Sequence, residues 1–161
     1  MTRVRRASLL SVFTALIGVM LWNYPGQSQP RTGVWFSYCP PRAAPGQSDC
    51  TVQIMLQPEG RSSSDLLNVS YAVRAKTFAV VGNNPGRTAS LTVDGYGPVS
   101  LTSCTGTRCS LSAASSVALL SQVTGGTTLV VEMRTTLGQT IGPYKTSLGD
   151  FDRAYRDVMS R

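Results

Sequence analysis

Residues 127–135, with the sequence TTLVVEMRT, form the segment that decides the fold class. They follow Gly125-Gly126 and predict the clearest β-strand of the chain. Residues 51–57, TVQIMLQ, alternate apolar and polar side chains, as in a strand with one buried face. Pro143 lies in the last predicted strand, which indicates either that the strand starts there or that it forms the edge of a sheet. The remaining strands are predicted, with turns between them, over residues 33–39, 66–73, 78–81, 89–93, 99–104 and 141–147.

Two short helices are predicted among these strands. The first covers about residues 113–122, with Ser112 as its N-cap and the two glycines as its stop. The second covers about residues 150–159, where Asp150 and Asp152 suit an N-terminal cap and the helix dipole. The chain is therefore predicted to be mainly β, a sandwich- or barrel-like antiparallel domain with two short helices.

The N-terminus has the layout of a targeting segment. Residues 1–6 are basic, residues 7–22 are mostly apolar, and residues 23–28 turn polar with small side chains, which is the order of a secretory signal. As a helix, the apolar run would span about 24 Å, short of the roughly 30 Å of a hydrocarbon core. The alternative is an uncleaved membrane anchor. Both interpretations place a single domain, residues 30–161, outside the cytoplasm.

The four cysteines predict a disulfide framework. Cys39, Cys50, Cys104 and Cys109 allow three connectivities, and the local pairs 39–50 and 104–109 are favoured because turn-forming residues separate each pair. The loop-closure model gives about 3 kcal/mol for the longer loop and about 2 kcal/mol for the shorter. A zinc site would need two pairs of closely spaced cysteines, and a redox motif would need Cys-x-x-Cys. Neither pattern is present.

Charge and composition disfavour several functions. The net charge of +7 includes Arg3, Arg5 and Arg6 of the leader, and the other arginines are scattered without a run of like charges. A nucleic-acid or acidic-lipid surface would need a clustered basic stripe, so the sequence disfavours nucleic acid as a partner and leaves binding of nucleic acid or anionic lipid through the arginines as a further alternative. The chain has no His, which removes Ser-His-Asp and Cys-His arrangements, and it has no phosphate- or dinucleotide-binding glycine motif. We expect no cofactor and no catalytic activity.

Two aromatic residues beside the first cysteine are candidates for a functional role. Trp35 and Tyr38 could be exposed for recognition of a partner, or they could pack in the core beside the Cys39 cystine. The sequence favours packing and leaves recognition as the alternative.

Several motifs occur in the order of a known family. The first half contains Trp35-x3-Cys39, then Cys50 and the strand through Gln53. The second half contains Cys104-x4-Cys109-x-Leu111, a helix with Leu119-Leu120, Gly125-Gly126, the strand through 129–131, and SLGDF-x2-AY at 147–155. In these features the chain resembles the invasion-associated locus B family of bacterial envelope proteins. The likeness covers most of residues 33–158. Within this range, residues 58–98 match only in the general alternation of strands and turns.

The resemblance implies a β-sandwich-like domain with two local disulfides, exported to the periplasm or outer membrane. In some pathogens the family is linked to host-cell entry, but its molecular activity is not established. Its usual ending is Leu-Lys-Gly-Phe, whereas residues 148–151 read LGDF, so the turn before the closing helix is expected to differ.

Together these features predict an exported, non-catalytic envelope protein that binds a protein or surface component through a β-sheet face or edge. One alternative keeps residues 7–22 as an anchor, which would make the chain an accessory subunit of an inner-membrane complex. A second alternative is a periplasmic enzyme without His, for example a thiol-redox enzyme that uses Cys104 and Cys109. The sequence identifies no partner.

Overall fold

The computed structural model describes residues 33–40, 49–57 and 65–160. The predicted leader or anchor, residues 1–28, lies outside these ranges, and so do residues 41–48 of the proline-rich loop. Within the described ranges, none of the helices has the length and apolar character needed to cross a membrane.

The described residues form two antiparallel sheets and two helices, which confirms the predicted fold class. The larger sheet contains β1 (Phe36–Tyr38), β2 (Thr51–Leu56), β3 (Leu67–Ala72), β4 (Thr77–Gly82), β7 (Ser103–Thr105) and β8 (Arg108–Ser110). Its spatial order is β1-β2-β3-β4-β8-β7. The smaller sheet contains β5 (Gly86–Val93), β6 (Val99–Leu101), β9 (Thr128–Thr135) and β10 (Thr140–Ser147), in the order β10-β9-β5-β6. The helices are α1 (Ala113–Gly125) and α2 (Phe151–Met159).

The core lies between the two sheets because both sheets alternate buried and exposed side chains. In β2, every second residue is buried, and in β9 the buried residues are Leu129, Val131, Met133 and Thr135. The apolar members belong to one continuous cluster that also includes residues of both helices. Period-two patterns that the sequence shows over 51–57 and 127–135 therefore correspond to the two inner faces of a sandwich.

Each edge of the six-stranded sheet carries a disulfide, as the favoured pairing predicts. Cys39 follows β1 and Cys50 precedes β2, so this bridge joins the first edge strand to its neighbour. Cys104 of β7 lies directly opposite Cys109 of β8, so the second bridge joins the other edge strand to its neighbour. Both edge strands have only three residues. Strands this short form few backbone hydrogen bonds, so the disulfides add a covalent link that holds each edge strand to its neighbour.

The chain between β6 and β8 differs from the prediction. Residues 99–104 were expected to form one strand, but the chain leaves the four-stranded sheet after Leu101 and enters the six-stranded sheet at Ser103. The loop expected between the second pair of cysteines is a two-residue turn between β7 and β8. The reason is burial: Leu101 and Cys109 are both buried in the core from different sheets, which requires a crossover at Thr102.

The helices lie near the predicted positions with different ends. Ser112 caps α1 by accepting a hydrogen bond from Ser115 N–H at 3.2 Å, and the helix runs three residues further than expected, to Gly125. Asp150 is the N-cap residue of α2, as predicted, but its side chain makes no capping hydrogen bond and instead forms an ion pair with Arg153 at 2.8 Å. Asp152 does lie in the first turn of α2, where its charge suits the helix dipole.

Aromatic side chains join α2 to the six-stranded sheet. Phe151 packs edge-on against Trp35, with ring centroids 4.9 Å apart, and it also stacks with Phe78 and Tyr155. Tyr71 packs against Phe78, and burial raises the pKa of its phenol, with Tyr155 and Asp49 adding to the rise.

Trp35 also makes a polar contact between the sheets. Its indole N–H donates to the carbonyl oxygen of Ser147 at 3.0 Å, although the residues lie 112 positions apart. The side chain is only 3% exposed, so the packing interpretation holds and Trp35 is not available for surface recognition. Its neighbour Tyr38 is 41% exposed, on the outer face of the six-stranded sheet.

Backbone hydrogen bonds join the end of β4 and the start of β5 to the β7–β8 turn. Gly82 N–H donates to Thr107 O at 3.0 Å, and Gly86 N–H donates to Gly106 O at 2.9 Å. A Cβ on Gly86 would overlap the end of the Met133 side chain and lie 2.8 Å from Cys109 Sγ. A residue without a side chain is therefore needed where β5 passes the second disulfide.

Strand β10 forms one edge of the four-stranded sheet, as Pro143 predicts. Its pairing with β9 shifts at a bulge between Ile141 and Tyr144. Gly142 adopts φ +98° there, and a Cβ would lie 2.6 Å from Val131 O, so the bulge requires glycine. Beyond the bulge, Tyr144 donates from its hydroxyl to the carbonyl oxygen of Asp65, in the segment before β3, at 2.9 Å.

The contrast between the two aromatic neighbours gives a test. Replacing Trp35 by Ala removes a buried ring and the hydrogen bond to Ser147, and we expect a loss of about 3–5 kcal/mol in the free energy of unfolding. Replacing Tyr38 by Ala should cost less than about 1 kcal/mol, as for most surface changes. Urea unfolding of the disulfide-intact proteins measures both values, and equal losses would contradict the placement of Trp35.

Candidate interaction surface

The outer face of the four-stranded sheet carries mainly hydroxyl and charged side chains. Strand register brings them together: Ser90 of β5 lies between Ser100 of β6 and Glu132 of β9. One row further along, Thr88 lies opposite Arg134. These positions alternate with the buried Ala89, Leu91, Val131 and Met133, so they point away from the core.

A shallow depression of about 210 Å³ lies on this face. Its lining consists of Thr88, Ala89, Ser90, Ser100, Thr102, Glu132 and Arg134. The volume is below the roughly 300–1,000 Å³ of sites that enclose drug-sized ligands. It therefore suits one projecting polar group of a larger partner better than a whole cofactor.

The two charges in the depression are uncommitted. Glu132 and Arg134 lie two residues apart on the same face of β9, yet neither forms an ion pair with any residue that the structure describes. A carboxylate accepts hydrogen bonds, a guanidinium donates up to five, and the surrounding hydroxyls do both. The surface can thus bind a partner that offers both donors and acceptors.

The same groups do not form an activated nucleophile. A Ser or Thr hydroxyl needs an adjacent base within hydrogen-bond reach to attack a substrate. In the described part of the chain, Glu132 makes no hydrogen bond to any of the four hydroxyls around it.

Asp94 holds the far end of this sheet. Its carboxylate accepts hydrogen bonds from Thr127 N–H at 2.9 Å, Thr127 Oγ1 at 2.8 Å and Thr128 N–H at 2.8 Å. These hydrogen bonds, first those of the Thr127 hydroxyl and backbone, lower the pKa of Asp94. The residue has φ +47°, which turns β5 toward β6 and aims the carboxylate at the start of β9.

The predicted site residues lie elsewhere in the fold. All four cysteines are in disulfides, so they form no thiolate zinc site, and no group of three or more Cys, Asp and Glu within residues 33–40, 49–57 and 65–160 is placed to hold a metal. Cys109 is completely buried against the β5 strand. Tyr38 is on the outer face of the opposite sheet and contributes nothing to the depression.

Sequence reasoning did not find the hydroxyl face. The available signal was the alternation of polar residues in Thr88-x-Ser90-x-Thr92 and in Glu132-x-Arg134, which shows that each strand has a polar side. The order of the strands decides that these polar sides adjoin, and that order could not be inferred from the sequence.

Comparisons with known proteins give no relative. No family model, no curated protein and no solved structure matches this chain. The two disulfides indicate an oxidising, exported compartment, since such bridges form and persist outside the reducing cytosol.

The Asp94 contacts predict a particular response to pH. Because its pKa is lower in the folded state than the roughly 3.9 of an unfolded chain, its ionised form stabilises the fold above that value, and this contribution is lost as the pH falls through the folded pKa. Asp94→Asn keeps a residue that tolerates a positive φ. We expect the variant to be less stable than wild type at neutral pH and to lose less stability between about pH 5 and pH 2. Urea midpoints across this range measure the difference, and parallel pH curves would contradict it.

Proposed function

We propose that this protein is an exported, non-catalytic component of the bacterial cell envelope that binds a partner through the outer face of its four-stranded sheet. The observation that carries the proposal is the depression in which Glu132 and Arg134, both without ion-pair partners among the described residues, lie among four hydroxyls. A partner that covers Glu132 and Arg134 must offer complementary charges or hydrogen-bonding groups, because leaving a charge unpaired in an interface costs binding free energy. The two charges therefore give the surface specificity.

A sheet face is favoured over a sheet edge as the binding surface. Strands β1, β6 and β7 have three residues each, which offers a partner strand few hydrogen bonds. Strand β10 is longer, but Pro143 has no N–H to donate and the Ser147 carbonyl already accepts from Trp35. The face has no such obstruction.

The location in the envelope rests on three arguments. The disulfides fit an oxidising compartment, residues 1–28 have the layout of a secretory signal or an anchor, and residues 33–158 resemble the invasion-associated locus B family. We therefore propose the periplasm or outer membrane, with an inner-membrane anchor through residues 7–22 as the alternative. A role in host-cell interaction stays a prediction from the resemblance alone.

The binding face can be tested by recovery of the partner. The protein and its Glu132→Gln/Arg134→Gln variant are isolated from gently solubilised envelopes of the native cell, and copurifying molecules are identified by mass spectrometry. Hydrogen bonds to charged groups contribute about 1.5–3 kcal/mol each, so losing both charges should lower recovery at least about tenfold.

A matched control changes the same number and signs of charges elsewhere. Asp152→Asn/Arg156→Gln alters two exposed residues of α2 that lie outside the depression, and recovery should equal that of the wild type. Recovery of the unaccompanied wild-type protein would contradict the proposal, and so would a partner retained by the depression variant.

The thiol-redox alternative is tested separately by alkylation. Cys109 is completely buried and bonded to Cys104, which disfavours attack on it by a substrate thiol. Protein isolated under native conditions should therefore take up no iodoacetamide until reductant and denaturant are added, as read by intact mass. Trapping of a thiol in the folded protein would favour the redox function, and the same spectrum gives the mature N-terminus, which shows whether residues 7–22 are retained.

A further inference from the structure

Three of the chain connections that the structure describes throughout meet at the end of the sandwich that lies away from the helices. They are the β4–β5 connection at residues 83–85, the β7–β8 turn at 106–107 and the β9–β10 hairpin tip at 136–139. We call these residues the loop end. The opposite end of the four-stranded sheet is where Asp94 meets the segment between α1 and β9.

Backbone hydrogen bonds make the loop end one continuous surface. Thr136 N–H donates to Pro85 O at 2.9 Å, and Gly86 N–H donates to Gly106 O at 2.9 Å. The β4–β5 connection is thus bonded to both of the others. Because each bond involves the backbone, the relative position of the three connections does not depend on flexible side chains.

Three arginines that are far apart in the sequence surround the loop end. Arg87 lies in a bulge of β5, Arg108 is on the outer face of the six-stranded sheet, and Arg134 is on the outer face of the four-stranded sheet. All three are exposed, and none forms an ion pair within the ranges that the structure describes.

Acidic residues are absent from the same segments of sequence. Residues 83–88, 105–108 and 134–140 contain no Asp or Glu. Among the described residues, the neighbouring carboxylates are Glu132, further along β9, and Asp65, on the flank where Tyr144 meets the segment before β3. Arg87 and Arg108 lie on the other flank, near β4 and β8, where no carboxylate of residues 33–40, 49–57 or 65–160 pairs with them.

The hairpin tip of the loop end presents an apolar side chain to solvent. Leu137 is 78% exposed, more than any other large apolar side chain that the structure describes as exposed. The residues beside it, Thr136, Gly138 and Gln139, are exposed and uncharged. A single exposed Leu is common on protein surfaces. Leu137, however, lies at a tip that has arginines on both neighbouring sheet faces, so apolar and basic side chains occur together there.

We propose that the loop end docks on an anionic lipid surface. Arg87, Arg108 and Arg134 approach the phosphate groups, and Leu137 enters the boundary between headgroups and acyl chains. This inference goes beyond the proposed function, since it assigns a second surface, and only Arg134 belongs to both. It does not require residues 7–22 to remain attached.

A lipid surface fits these features better than a nucleic acid does. Sites for nucleic acid combine a basic groove with aromatic side chains on which bases stack. The loop end is a projecting tip without an aromatic residue in any of its three connections, and a polyanion would give Leu137 nothing to contact. A membrane uses both the charges and the apolar tip.

The proposal is tested with vesicles and the protein in the form isolated from cells. Vesicles of phosphatidylcholine alone are compared with vesicles that also contain about 30% phosphatidylglycerol, and binding is measured by cosedimentation. The quantity of interest is the ratio of binding to the two, because a retained apolar segment would contribute to both. We expect tighter binding to the anionic vesicles, and this preference should weaken steeply with added salt.

Variants locate the contact. Arg87→Gln/Arg108→Gln leaves the depression intact and should reduce anionic binding at least about tenfold, since each basic residue near such a surface contributes about fivefold. Arg74→Gln/Arg156→Gln removes the same charge away from the loop end and should have little effect. Leu137→Ser should weaken binding severalfold, whereas Val117→Ser, a comparable exposed change on α1, should not.

Each contrary result overturns the proposal. These results are equal binding to both vesicle types, equal losses for the two arginine pairs, no loss with Leu137→Ser, or capture of a DNA duplex in place of vesicles. Thermal unfolding of every variant verifies that the fold is intact. Because the depression charges are unchanged in the Arg87/Arg108 pair, recovery of the envelope partner by that variant distinguishes failure here from failure of the proposed function.

Discussion

The six-stranded sheet depends on a covalent bond at each of its edges. Its outermost strands, β1 and β7, have three residues each, and strands of that length form few ladder hydrogen bonds. The Cys39–Cys50 and Cys104–Cys109 bridges hold them beside β2 and β8. The first bridge also affects the four-stranded sheet, because Trp35 immediately precedes β1 and donates a hydrogen bond to the carbonyl oxygen of Ser147 in β10. At the other edge, Cys109 packs where β5 passes at Gly86.

Local patterns predicted most of the fold, whereas contacts between distant segments could not be predicted. The alternation in 51–57 and 127–135, the Ser112 cap and the cysteine pairing are each settled by residues close in sequence. The crossover at Thr102 is not, since it depends on which sheet buries each side chain. Asp150 takes the predicted N-cap position, but its carboxylate pairs with Arg153 one turn along the helix and accepts no capping hydrogen bond.

The candidate surfaces were even less visible in the sequence. The scattered arginines gave no charged run, but the backbone bonds among three connections gather Arg87, Arg108 and Arg134 around one end of the sandwich. Similarly, Glu132 becomes part of a depression only because β9 lies beside β5, and β5 beside β6. Charge that is dispersed along the chain is thus concentrated in space by strand order, which depends on tertiary packing rather than on local pattern.

The bulged strand β10 also has a consequence for the behaviour of concentrated protein. A long unpaired strand invites another molecule to extend the sheet, which is a common first step toward fibrils. In β10 such growth is interrupted at the missing amide of Pro143, disfavoured by the exposed ammonium of Lys145, and blocked at the Ser147 carbonyl by the indole of Trp35. The four-stranded sheet can therefore expose its polar face at high protein concentration while its edge strand β10 resists pairing with a second copy of the chain.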